Sequence, residues 1–72
     1  MNLKLTNDSA AKFTIEMWSE HALEWKIVAT GYESVHSAKM EAKTKFRVAL
    51  RYRTVRIVSE ATGEVKTRWK NV

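Results

Sequence analysis

Along this chain the spacing of apolar residues changes from every second position to every third or fourth, and then changes back. Residues 12–18, "KFTIEMW", place Phe13, Ile15 and Met17 on one face and Thr14, Glu16 and Trp18 on the other, the pattern of a half-buried strand. After the short connection "SEHAL", residues 24–30, "EWKIVAT", alternate again, with Trp25, Ile27 and Ala29 on one side. Two such runs so close together predict an antiparallel hairpin. Leu3 and Leu5 point to a further short edge strand or packed arm within residues 1–11.

The middle stretch reads differently. Gly31 ends the second strand, and Ser34 is placed to cap a helix by accepting from a free amide of its first turn. From Val35 to about Arg51 there is neither glycine nor proline. Val35, Ala38, Ala42, Phe46, Ala49 and Leu50 recur at helical spacing and form one apolar stripe, whose alanines let the helix lie close to a sheet. Glu41 and Lys45 make an i,i+4 pair in the favourable order. Beyond it, "TVRIVS" (54–59) and "EVKTRWK" (64–70) flank "EATG", in which Gly63 can take the positive φ of a short bulged hairpin loop. Val55 and Ile57 are expected on the inner face with Val65, Thr67 and Trp69, and Arg56, Val58, Lys66, Arg68 and Lys70 on the outer.

The expected fold is α+β: a ββαββ two-layer sandwich with a four-stranded antiparallel sheet in order 2-1-3-4 and one helix, about 35–51, packed on one face. A right-handed crossover through the helix brings the third strand beside the first. Phe13, Ile15, Met17, Trp25, Ile27, Val55, Ile57, Val65 and Trp69 would then meet the helical stripe, leaving the opposite face to water.

Seventy-two residues make a single domain, 1–72, near the lower limit for folding without extra staples. The absence of cysteine removes disulfides, thiol nucleophiles and cysteine-based zinc sites, and fits a reducing cytoplasm. Two histidines, His21 and His36, are too few for an ordinary histidine-rich metal site, and no cofactor is implied. The N-terminal segment has no uninterrupted apolar core of the signal-peptide kind, and no run is long enough to span a membrane. No phosphate-cradling glycine loop or metalloprotease motif is present. Ser34, His36 and Ser37 cluster, but read as a cap beside an exposed histidine; Glu16 and Glu24 could face each other across the first hairpin. We expect no catalysis.

Charge is the informative quantity. Residues 1–36 carry three lysines against five carboxylates, and residues 37–72 carry ten cations against three, so net charges of −2 and +7 compose the total of +5. Such asymmetry points to an anionic partner. Two cationic arrays are expected. Lys39, Lys43, Arg47 and Arg51 step along the helix as a ridge that could follow a phosphate backbone. Lys26, Arg56, Lys66, Arg68 and Lys70 share the open sheet face with Trp18, where cations beside an aromatic suit phosphates and bases. The sequence therefore reads as a nucleic-acid-binding module. An acidic protein surface is the alternative partner, met by Trp18, Met40, Val28 and Val58 framed by cations, and a second copy of the chain is a further one.

A tryptophan-bearing first hairpin, an alanine-rich basic helix and the terminal hairpin "TVRIVSEATGEV" resemble small bacteriophage-encoded proteins. That resemblance implies the host cytoplasm and, on the alternative reading, a factor that binds and modulates a host protein. A sheet presenting Arg and Trp is also similar to the three-stranded DNA readers of the AP2 and integrase N-terminal type. Those place three strands before their helix, whereas here the helix interrupts the strands.

Overall fold

A computed structural model describes residues 12–72. Its elements run β1 (Phe13–Ser19), β2 (Glu24–Tyr32), α1 (Val35–Lys43), β3 (Thr54–Ser59) and β4 (Val65–Lys70). All neighbouring strands are antiparallel in the spatial order β2-β1-β3-β4, with the helix on one face, so the ββαββ sandwich and the 2-1-3-4 order are as expected. The expected strand or arm around Leu3 and Leu5 lies outside the described residues. No helix among the described residues is long and apolar enough to cross a membrane.

The core sits between the central strands and the helical layer. Ile15 faces Ile57 across the β1–β3 ladder, and both pack with Val55, Ala38, Ala42 and Leu50, all fully buried. Ala38 and Ala42 are one helical turn apart, and their small side chains let α1 approach the sheet. Phe13, Met17, Val28, Ala29, Tyr32, Val35, Phe46 and Trp69 complete the packing. Ser34 caps α1 as expected, its hydroxyl accepting from the Ser37 amide at 2.9 Å. Tyr32 ties β2 to the helix by donating its hydroxyl to Glu41 Oε1 at 3.3 Å.

Three departures from the expected pattern matter for the surface. First, α1 ends at Lys43 rather than near Arg51. Thr44 Oγ1 donates back to the Met40 carbonyl, the bond by which a threonine competes with helix continuation. The Phe46 amide then reaches the Glu41 carbonyl, and residues 44–52 continue as successive turns. Leu50 still reaches the core, while Ala49 is exposed.

Second, β2 slips twice against β1. Phe13 pairs with Tyr32, Ile15 with Ala29, and Glu16 with Ile27, so β2 contains an extra residue at each step. Gly31, with φ +86°, accompanies the first slip, and Val28 is the extra residue of the second. Because strand side chains alternate, one inserted residue reverses every side chain beyond it. Val28 and Ala29 both pack on the core, and Trp25 and Ile27 turn to the open face, where Ile27 is 66% exposed. The expectation that both would be core is thereby overturned. Lys26, opposite Met17, leaves the open face, and Glu16 lies opposite Ile27 rather than Glu24.

Third, β4 slips once against β3. Ile57 pairs with Thr67 but Val58 with Val65, which makes Lys66 the extra residue. Val65 was expected in the core; it lies beside Val58 on the outer face, exposed.

Candidate nucleic-acid interface

The open face is built by alternation outward from the central strands. β1 contributes Thr14, Glu16 and Trp18; β3 contributes Thr54, Arg56 and Val58, of which Thr14 and Val58 are buried, so Val58 is not the exposed apolar contact expected of it. The outer strands add Trp25 and Ile27 from β2, and Val65, Arg68 and Lys70 from β4. At its centre the Arg56 guanidinium donates to Glu16 Oε1 at 2.7 Å and lies 4.0 Å over the Trp25 ring. Trp25 in turn meets Trp18 edge to face, with centroids 5.4 Å apart and planes at 65°, a favoured aromatic geometry. Arg56 is thus charge-compensated and locked, a fixed support for the tryptophan pair.

Two shallow clefts flank Trp18. One, of about 330 Å³, is lined by Trp18, Trp25, Thr54 and Arg68. The other, of about 270 Å³, is lined by Trp18, Glu20, Arg51, Tyr52, Arg53 and Thr54. They share Trp18 and Thr54, so one line of surface runs from Arg68 past Trp18 to Tyr52. The second cleft exists because the helix stops early: the turns after Lys43 carry Arg51, Tyr52 and Arg53 to the end of the sheet. There the Tyr52 amide donates to the Asn71 carbonyl and the Asn71 amide to that of Arg53.

Asn71 is the hub of this end. It is 3% exposed; its Oδ1 accepts from Trp69 Nε1 at 3.0 Å, and its Nδ2 donates to the Ala42 carbonyl near the helix end. Its side chain therefore joins β4 to α1, while its backbone holds the segment that carries Tyr52.

The expected cations divide into groups. Arg68 and Lys70 lie on the open face, and Arg51 lines the second cleft. Lys26 is paired with Glu24 at 2.8 Å and Lys66 with Glu64 at 3.2 Å. Lys39 and Lys43 hold their ammonium groups 5.3 and 5.8 Å from the Trp69 ring centroid, on the helix side of β4. Arg47 is exposed in the turn segment. The expected ridge of Lys39, Lys43, Arg47 and Arg51 is therefore not a single helical band, since only its first two members belong to α1. Among the described residues, Arg51, Arg53, Arg68 and Lys70 have no carboxylate within ion-pair distance.

Trp25, Tyr52 and Arg53 join this surface without having been assigned to it from the sequence. The clue to Trp25 was its position directly opposite Trp18 in a short hairpin; the clue to the other two was the "RYR" triplet. Set against family models, curated proteins and solved structures, the chain matches none.

Proposed function

We propose that this protein binds nucleic acid, without catalysis, through the open sheet face and its extension to Tyr52. The observation that carries the reading is the pair of clefts meeting at Trp18, where three aromatic rings stand among arginines that have no carboxylate partner among the described residues. Arginine and aromatic side chains together supply phosphate neutralisation and stacking, the two contacts a polynucleotide offers without regard to sequence. Arg51, Arg53, Arg68 and Lys70 are the phosphate-facing cations. Trp18 is the central stacking residue, and Trp25, buttressed by Arg56, holds it in place. Lys39 and Lys43, turned to Trp69 on the other side of the sheet, are peripheral.

The test is an anisotropy titration of labelled oligonucleotides, repeated across a salt series. Binding that weakens linearly in log salt is expected, with the slope reduced by roughly 0.7–0.9 for each of Arg51, Arg68 and Lys70 converted to glutamine. No binding of either a single strand or a duplex at about 50 mM salt, where counterion release is strongly favourable, would remove the proposal. A protein partner retained from lysate after nuclease treatment would then be the reading that replaces it, with Ile27 and Val65 as its exposed apolar contacts.

A further inference from the structure

We infer that the polynucleotide is single-stranded, with one unstacked base held against Trp18 and a neighbouring base against Tyr52. The inference rests on the nucleic-acid reading above and adds the substrate class and a second base position. Bases in a duplex are stacked on one another, so a duplex presents chiefly phosphates and groove edges; aromatic faces gain most from bases free to leave the stack. Here the cations surround recesses lined with rings rather than forming an uninterrupted basic surface.

Tyr52 is the independent observation. Its φ is +63°, in the left-handed region that costs a residue with a Cβ and that a bulky side chain rarely adopts. The residue is 62% exposed, so burial does not compensate for that conformation. The backbone is held there by the pairing of residues 52 and 53 with Asn71, and Arg51 places its guanidinium 5.2 Å from the ring centroid. A tyrosine that is both conformationally costly and exposed, flanked by two arginines at the rim of a cleft, fits a role in binding a ligand better than one in folding. Because the two clefts share Trp18 and Thr54, successive nucleotides of one strand can occupy both while their phosphates lie near Arg68, Arg51 and Arg53.

The experiment titrates the full chain with oligothymidylate and oligouridylate of about 12 nucleotides, a length within the range single-strand modules cover, and with a duplex of equal length. Anisotropy and tryptophan fluorescence are both read. The single strands are expected to bind at least about tenfold tighter than the duplex and to quench tryptophan emission; the thymidylate and uridylate arms distinguish DNA from RNA as the source. Tyr52→Gly is expected to weaken single-strand binding about tenfold, the effect of losing one stacked base, while its melting temperature stays level or rises. Trp18→Phe, which keeps a ring, is expected to weaken it less than Trp18→Ala does. Duplex binding equal to single-strand binding would overturn this inference and leave the nucleic-acid reading standing. An unchanged affinity in folded Tyr52→Gly would remove the second base position. Binding of none of the three probes would remove both readings.

Discussion

Leu23 and Gly63 occupy the same position in two copies of one turn. The hairpin loops read "SEHALE" (19–24) and "SEATGE" (59–64). In each, the amide of the fifth residue donates to the carbonyl of the first, Leu23 to Ser19 and Gly63 to Ser59. In each the serine hydroxyl accepts from the fourth residue's amide, at 3.1 Å from Ala22 and 3.4 Å from Thr62. Both fifth residues are left-handed, with φ +56° and +78°. Glycine adopts that conformation without steric cost; leucine does not.

Leu23→Gly should therefore stabilise the protein. Leu23 is 73% exposed, so little burial is lost, and the gain is about 0.5–1 kcal/mol from relief of the left-handed leucine. A rise of roughly 2–8 °C in melting temperature by circular dichroism is expected. Gly63→Ala should lower it by a similar amount, and through backbone conformation, since a Cβ there meets no atom within 4 Å. Equal melting temperatures for Leu23→Gly and the parent would contradict the account.

Replacing Asn71 should be among the more damaging changes to a polar residue. Asn71→Ala leaves Trp69 Nε1 and the Ala42 carbonyl without their partner, for a loss of about 2 kcal/mol in urea unfolding. Asn71→Asp keeps the acceptor for Trp69 but loses the donor and sets a carboxylate near the negative end of the α1 dipole, so it should restore little. Full stability in either variant would show that the hub is dispensable.

Alkaline pH should test the link between β2 and the helix. Desolvation, and next the charge and hydrogen bond of Glu41, raise the Tyr32 phenol above its ordinary value. A raised acid pKa means that the folded state holds its proton more tightly than the unfolded state. Stability from this group is complete below the unfolded pKa of about 10 and declines as pH rises from there through the folded value. Tyr32→Phe should remove that part of the alkaline decline, seen as a flatter melting temperature above about pH 10.

Glu20 is the one carboxylate lining the second cleft. On the nucleic-acid reading it opposes phosphate, so Glu20→Gln should tighten oligonucleotide binding about two- to fivefold at low salt, and by less as salt screens the site. Weaker binding by this variant would indicate that the carboxylate contacts the ligand favourably, against the arrangement proposed.

The order of elements and the central core were legible because β1 and β3 obey strict alternation, and their ladder from Phe13–Ser59 to Met17–Val55 has no slip. What the sequence concealed lies in the outer strands. "EWKIVAT" satisfies alternation as written, and nothing local announces that Val28 is an extra residue; only the pairing partner reveals it. Trp25 and Ile27 consequently changed faces, and with them the composition of the open surface. The end of α1 was hidden for a related reason: the apolar stripe runs on to Leu50, and turns can deliver Leu50 to the core as well as a helix can. Glu60 shows the same limit. Its carboxylate accepts from Thr14 Oγ1 at 3.0 Å and the Gly31 amide at 2.9 Å, contacts across three strands that no spacing encodes.

The three slips of register fall only on β2 and β4, the outer strands of the described sheet. A strand arriving from a neighbouring molecule needs donors and acceptors at a constant interval, and each extra residue throws the next rung out of step. The residues that turn Trp25 outward thus also interrupt the template on which fibrils grow. In a chain without a single proline, these irregularities discourage sideways polymerisation through the outer strands of the described sheet.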